Sequence, residues 1–210
     1  MIRIVLADDH ALVREGLRRI LEDHADLRVV AEATTGEDVL RAVAASQVDV
    51  LVLDISMPGP GVFELLKLLG EDHPSVRTVV LTMHPEDQYA VRVLRAGAAG
   101  YLSKERSSGL LVEAIRKAHR GEVFVSPSLA DTLARHITGR GERSPHELLS
   151  DRELDVLVRL ARGQSVKAIA ADLSLNRKTV STYHTRIRRK LHLRSDADLV
   201  RFALEHGLAD

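Results

Sequence analysis

The chain has 210 residues, with 30 Lys+Arg against 30 Asp+Glu for a formal net charge of zero; it is 45% hydrophobic and 3% aromatic, with no cysteine and no tryptophan. That apolar fraction excludes wholesale disorder, and the lack of cysteine excludes a disulfide scaffold or a thiolate metal site and fits a reducing compartment. No apolar run is long enough to span a membrane, and Asp8-Asp9 interrupts the N-terminal run too early for a secretory signal, so a cytoplasmic protein with no membrane partner is expected.

Short apolar, β-branched runs occur at 2–7, 28–33, 48–53, 78–81 and 99–102. Between them lie helical periodicities: Leu12, Leu17, Ile20 and Leu21; Val39, Leu40 and Val43; Val62 to Leu69; Ala90 to Leu94; and Leu110 to Ile115. Repeated strand–helix alternation predicts an α/β domain, a doubly wound five-stranded parallel sheet with helices on both faces. Beyond Gly121 the pattern turns helical. Ser126-Pro127 opens a helix to about Ile137, with Ser as the cap and Pro at the first position. Thr138 to Pro145 is rich in Gly, Ser and charge and reads as a linker. Ser150 with Glu153 forms a capping box before an apolar series ending at Gly163. A short helix follows at 166–173, a longer one capped by Asn176 runs to about Leu191, and a last one capped by Ser195 ends near Gly207. The expected organisation is therefore a first domain over 1–121, a linker with a helix over 122–147, and an all-α domain over 148–210.

In an open parallel sheet, ligands bind beyond the carboxyl ends of the strands. Those ends carry Asp8 and Asp9, Asp54, Thr82, and Ser103 with Lys104. Crowded carboxylates repel, and a hard divalent cation such as Mg2+ relieves the repulsion. A metal, an amine and a hydroxyl around a central carboxylate suit phosphoryl transfer to it, with Asp54 as nucleophile, Lys104 neutralising phosphoryl charge and Thr82 hydrogen-bonding a phosphoryl oxygen. His10, beside Asp9, reads as a hydrogen-bonding or first-turn helix residue, because no second histidine sits nearby at ligand spacing.

Asp8-Asp9, Leu53-Asp54-Ile55-Ser56-Met57-Pro58-Gly59, Leu81-Thr82 and Gly100-Tyr101-Leu102-Ser103-Lys104 together resemble the receiver domain of two-component response regulators. The resemblance covers about the first 120 residues. It implies a flavodoxin-like fold and phosphorylation of Asp54 by a sensor histidine kinase. It implies Mg2+ on Asp9 and Asp54, with Asp8 assisting and the Ser56 backbone carbonyl as a further ligand. It also implies a switch in which Thr82 moves toward the phosphoryl group and Tyr101 turns inward. One departure is the Pro58-Gly59-Pro60-Gly61 loop, which looks a residue shorter than the family's.

The zero net charge is a cancellation. Residues 1–125 hold 15 Lys+Arg and 19 Asp+Glu, whereas 126–210 hold 15 and 11. No acidic residue occurs from Leu173 to Ser195, across the helix capped by Asn176. Its apolar face is Val180, Tyr183, Ile187 and Leu191, with His184 beside them. At about 100° per residue the opposite face carries Lys178, Thr182, Thr185 and Arg189, flanked by Ser181 and Arg186. Arg177 and Arg188 add to the charge. Cations interleaved with short hydroxyls suit phosphates and base edges of double-stranded DNA. The short helix before it, joined across Ser174-Leu175, makes a helix-turn-helix layout. Exposed aromatics that RNA would need for stacking are missing, as is an apolar face free to enter lipid.

Leu149 to Leu157, Ala161 to Ala170, Leu173, Thr179-Val180 and Lys190-Leu191 resemble the LuxR-type helix-turn-helix of response regulators of the NarL/FixJ class. The resemblance implies a four-helix domain, recognition by the Asn176–Leu191 helix in the major groove, and homodimers on two half-sites, with RNA polymerase as a further partner. Val166, Ala168 and Asn176 stand where Asn, Glu and Ser are usual, and Ser181-Thr182 implies altered base preference. The reading is a phosphorylation-controlled transcription regulator, a switch and not a turnover enzyme. A Mg-dependent aspartyl-phosphate phosphatase would need an acid/base Asp at position 56, where Ser stands. A dinucleotide enzyme would need a glycine-rich turn after the first strand. A constitutive DNA binder would not need the acidic set and Lys104.

Overall fold

The computed structural model describes all residues except 84–85, 105–107, 139–144, 174 and 210. It divides into two compact units, Met1–Ala134 and Arg135–Asp210. The division falls within the 122–147 segment; most of the expected linker, and Ser174 of the turn, lie outside the described residues.

The first unit holds strands β1 (Ile2–Ala7), β2 (Leu27–Ala33), β3 (Val50–Leu53), β4 (Arg77–Thr82) and β5 (Gly100–Ser103), with helices α1 (Ala11–Glu22), α2 (Gly36–Ala45), α3 (Val62–Asp72), α4 (Glu86–Arg95) and α5 (Ser108–His119). All strand pairs are parallel, in the order β2-β1-β3-β4-β5. This is the flavodoxin-like order, whose switch point lies between β1 and β3. Every residue of β3 is buried, as a central strand covered on both faces requires. Alternate residues Ile2, Ile4 and Leu6 of β1 join Val50 and Val52, Val79 and Leu81, and the α5 residues Leu111 and Ile115 in one core. Strand β3 starts two residues later than the apolar run suggests: Asp49, just before it, keeps backbone bonds to Arg3 and Arg77 while its carboxylate accepts from the Arg3 backbone and guanidinium.

The loop after β3 is pinned to the start of α2. Gly36 N donates to the Pro58 carbonyl at 2.9 Å, and Gly59 sits at φ 97°. A Cβ on Gly36 would meet Pro60 Cδ at 2.9 Å, so only glycine allows this approach. The chain then continues through α6 (Pro127–Thr138), where Ser126 Oγ accepts from Leu129 N at 3.1 Å, as a cap before Pro should.

The second unit holds α7 (Asp151–Ala161), α8 (Val166–Asp172), α9 (Arg177–Lys190) and α10 (Asp196–Glu205), preceded by a 3-10 turn at Pro145–Leu148 that the residue pattern does not announce. Ser150 with Glu153, and Ser195 with Asp198, close reciprocal capping boxes; Ser165 and Asn176 cap α8 and α9. Helix α7 packs on α9 and α10, and α8 on α9. Leu154, Leu157, Ile169, Val180, Ile187 and Leu199 fill the centre.

Candidate functional site

Parallel register levels the strand ends. Ala7 pairs with Leu53, Leu53 with Val80, and Thr82 with Ser103, so the residues that follow share one rim. Asp8 and Asp54 are 2% and 4% exposed and Thr82 is fully buried. Lys104 Nζ lies 2.6 Å from Asp8 Oδ2 and donates to Asp54 Oδ2 at 2.9 Å. Burial works against the Lys104 charge, but Asp54 and Asp8 outweigh it and hold its pKa above the usual lysine value. Lys104 N also donates to the Thr82 carbonyl, which fixes the stem of the lysine against β4.

The second oxygen of Asp54, Oδ1, is buried and accepts no hydrogen bond among the described residues. A buried carboxylate oxygen without a donor is costly and calls for a water or an ion to satisfy it. At the same rim, one ligand atom each of Asp8, Asp9, His10 and Asp54 lies within 4.8 Å of the others. Carboxylates beside an unsatisfied carboxylate oxygen fit a hard divalent cation such as Mg2+. Ser56 is half-buried in the loop two residues after Asp54. Tyr101 is fully buried on β5, paired with Val80. Arg14, which no motif singles out, donates from Nη1 to the Asp8 carbonyl at 2.8 Å from the first turn of α1. Its spacing of one helical turn from His10 is a signal that could have found it.

In the second unit, α9 presents Arg177, Lys178, Ser181, Thr182, Thr185, Arg186 and Arg189, all exposed, while Val180 and Ile187 are buried beneath. Arg188 stands apart. It is half-buried, donates to the Arg194 carbonyl and lies 3.7 Å from Asp196, which also faces His184 Nε2 at 2.9 Å. Thr182 Oγ1 donates to the Lys178 carbonyl at 2.9 Å and Thr185 Oγ1 to the Ser181 carbonyl at 3.0 Å. With their hydrogens turned into the helix, these hydroxyls offer acceptor lone pairs outward, the complement of the amino groups of cytosine and adenine. The end of α9 is tied down by Lys190, whose Nζ lies 2.6 Å from Glu153 Oε2. Burial raises the Glu153 carboxyl, but Lys190 and the Ser150 donors outweigh it and hold it below its usual value. Glu153 reads in the sequence only as a cap; its second task needs the fold.

Residues 4–116 match the family described as response regulator receiver domain, and residues 147–203 match bacterial regulatory proteins of the luxR family. The response regulator UvrY of Escherichia coli strain K12 is 39% identical over 211 aligned residues, covering all of this chain and 97% of its own. RcsB of Salmonella enterica serovar Typhimurium, solved bound to promoter rprA in the presence of phosphomimetic BeF3-, superposes with a TM-score of 0.74 at 27% identity, covering 96% of this chain and 97% of that one. Another structure, of two RcsB dimers bound to two parallel DNAs, gives 0.60 at 28% identity, with 98% of each chain covered.

Proposed function

This chain belongs to the response regulators that join a receiver domain to a luxR-family regulatory domain, and from that premise we propose that phosphorylation of Asp54 by a sensor histidine kinase switches a cytoplasmic, promoter-binding homodimer. The observation that carries the reading is the asymmetry of Asp54: Oδ2 is held by Lys104 while Oδ1 is buried and bare. Oδ1 is the oxygen free to attack phosphorus in line, forming an acyl phosphate as the bond to the departing phosphohistidine nitrogen breaks. Lys104 then shifts from balancing two carboxylates to balancing the phosphoryl oxygens. Asp8, Asp9 and Asp54, with the Ser56 carbonyl, would hold Mg2+, which supplies further charge neutralisation when bound. Thr82 and Tyr101, both buried on neighbouring strands, are the switch pair that carries occupancy of Asp54 to the surface. No turnover is required; the acyl phosphate biases a two-state equilibrium.

The DNA-reading residues are Arg177, Lys178, Arg186 and Arg189 for phosphates and Ser181, Thr182 and Thr185 for base edges. Arg188, held by Asp196 and the Arg194 carbonyl, is assigned to orient α9 against α10 and to contact one phosphate at the edge of the groove. The receiver is assigned to 1–121, the connecting segment to 122–147 and the DNA-binding domain to 148–210. RcsB, solved as dimers on DNA, supports a dimer here, with RNA polymerase as the further partner at the promoter. Incubating the protein with Mg2+ and acetyl phosphate should add one acid-labile phosphoryl mass that Asp54→Ala loses. A wild-type protein that gains no mass from acetyl phosphate or a kinase would leave a constitutive DNA binder.

A further inference from the structure

Helix α9 ends in a Schellman turn: Leu193 N donates to the Arg188 carbonyl at 2.8 Å and His192 N to the Arg189 carbonyl at 3.4 Å. Helices α4, α5, α7 and α10 end with the same pair of bonds, and each places a glycine (Gly97, Gly121, Gly163 or Gly207) at the residue that must turn left-handed. In α9 that residue is His192, at φ 55°, the one non-glycine at positive φ among the described residues. A residue with a Cβ is strained there, and such strain concentrates at ligand-binding positions. A cation near a helix C-terminus is favourable by itself, but Arg188, Arg189 and Lys190 already occupy the last turn. His192 instead lines a pocket of about 590 Å3 with His184, Arg188, Arg189 and Arg194, and no carboxylate lines it. Asp196 engages His184 and Arg188. Arg189, His192 and Arg194 form no ion pair among the described residues.

We propose that this pocket is an oligophosphate site, in which Arg189, His192 and Arg194 hold adjoining phosphates. The phosphates belong either to the DNA strand flanking the bases that α9 reads or to a free nucleoside polyphosphate. The first source rests on the DNA-binding reading above; the second stands without it. Guanidinium groups present paired N–H donors that match phosphate oxygens, and an imidazole N–H donates in either charge state. The volume exceeds what a single phosphate fills and lies in the range of small-ligand pockets. Apart from Leu193 the lining side chains are polar or cationic, which favours a charged ligand over an apolar one. Thr185, on the face of α9 that carries the exposed cations and hydroxyls, also lines the pocket, so the site adjoins that face.

The test compares the full chain with His192→Gly and Arg194→Ala, using sodium tripolyphosphate and a random-sequence DNA duplex as probes. Glycine relieves the left-handed strain, so His192→Gly should raise the unfolding midpoint while weakening phosphate binding about threefold or more, as loss of a hydrogen bond to a charged group does. Arg194→Ala should weaken binding at least as much and leave the midpoint unchanged. A residue that only ended the helix would move stability alone. If the source is free, tripolyphosphate shifts the His192 ring protons in nuclear magnetic resonance, and both variants lose affinity for it. If the source is DNA, tripolyphosphate leaves the ring unmoved, duplex affinity falls in both variants, and Arg194→Ala flattens the salt slope by about 0.9. Unchanged affinity for both probes, or a lower midpoint in His192→Gly, overturns the proposal. Lys178→Ala keeps the two readings apart: duplex affinity that falls there but not in the pocket variants, with no tripolyphosphate bound, leaves the DNA face standing without the pocket. A wild type that binds no duplex removes the DNA reading, and tripolyphosphate then decides the pocket alone.

Discussion

In the receiver, the charges at the strand ends are sunk: Asp8, Asp54 and Lys104 are nearly covered and tied to one another. In the helical domain, Arg177, Lys178, Arg186 and Arg189 stand in solvent and form no ion pair among the described residues. A buried charge must be compensated within the fold, so the receiver's site is part of its own stability. An exposed charge is already solvated, so the basic face costs the helical domain little and waits for a polyanion to displace its counterions. A buried, compensated cluster can couple ligand occupancy to conformation, whereas an exposed face couples it to affinity alone. The near-zero sum of charge over the chain conceals this division of labour.

The sharpest way to break the contrast is Lys104→Met. It removes the cation between two buried carboxylates and should cost the receiver roughly 3 kcal/mol or more in urea unfolding without divalent ions, as breaking a buried pair does. Added Mg2+ should recover part of the loss. A variant as stable as the wild type in metal-free buffer would show that the acidic rim is wetter than its burial indicates.

Glu153→Gln probes a buried charge in the domain whose α9 cations Arg177, Lys178, Arg186 and Arg189 are exposed. The carboxylate serves the Ser150 cap and Lys190 together. Its loss should cost about 1–2 kcal/mol at neutral pH, in the range of charge-assisted hydrogen bonds. Because the folded-state pKa is held below the unfolded value, this stabilisation is present above the usual glutamate range and disappears as pH falls through the folded pKa. The wild-type and variant unfolding curves should converge in acid.

Asp49→Asn is a smaller version of the same test in the receiver. Arg3 engages both Asp49 oxygens, at 2.7 and 2.9 Å, and holds that carboxyl at about 2 against an ordinary 3.8. The Arg3 side chain is partly exposed, so the loss should be about 1 kcal/mol or less at pH 7. It should fade as pH drops from about 4 to about 2, and chemical unfolding across that window reads it directly.

The same division explains what the residues alone could tell. The rim was legible because a parallel sheet forces strand ends together, so Asp8, Asp54, Thr82 and Lys104 needed only correct strands to meet. Caps at Ser126, Ser150, Asn176 and Ser195 were legible because the acceptor and its N–H lie within three residues. Contacts that join distant elements were not: Lys190 to Glu153 spans 37 positions and Arg3 to Asp49 spans 46. The hydrogen-bonding role expected of His10 is met by Nδ1 at 2.7 Å from Asp9 Oδ1, but the choice of Asp9 as its partner was not legible, because neighbouring residues in an extended backbone can point either way. Arg188, three residues from the exposed Thr185 and one from Arg189, looked equivalent to its neighbours. Only the placement of α10, which brings Asp196 to it, sets it apart.

The smallest stability effect is expected where the functional effect is purest. Arg186→Ala and Lys178→Ala remove exposed cations that form no ion pair among the described residues, so each should leave thermal unfolding within about 0.5 kcal/mol of wild type. Each should also flatten the dependence of log K on log salt by about 0.9 on promoter DNA, one phosphate's worth of released counterions. Arg188→Ala should behave differently, losing some stability through Asp196 as well as affinity. Thr182→Ala should keep the salt slope and change only which base pair is preferred, because a hydroxyl acceptor neutralises no phosphate. If Arg186 and Lys178 proved essential to folding, or left the salt slope unchanged, the outward charge of α9 would belong to the domain's architecture, and the contrast with the receiver would collapse.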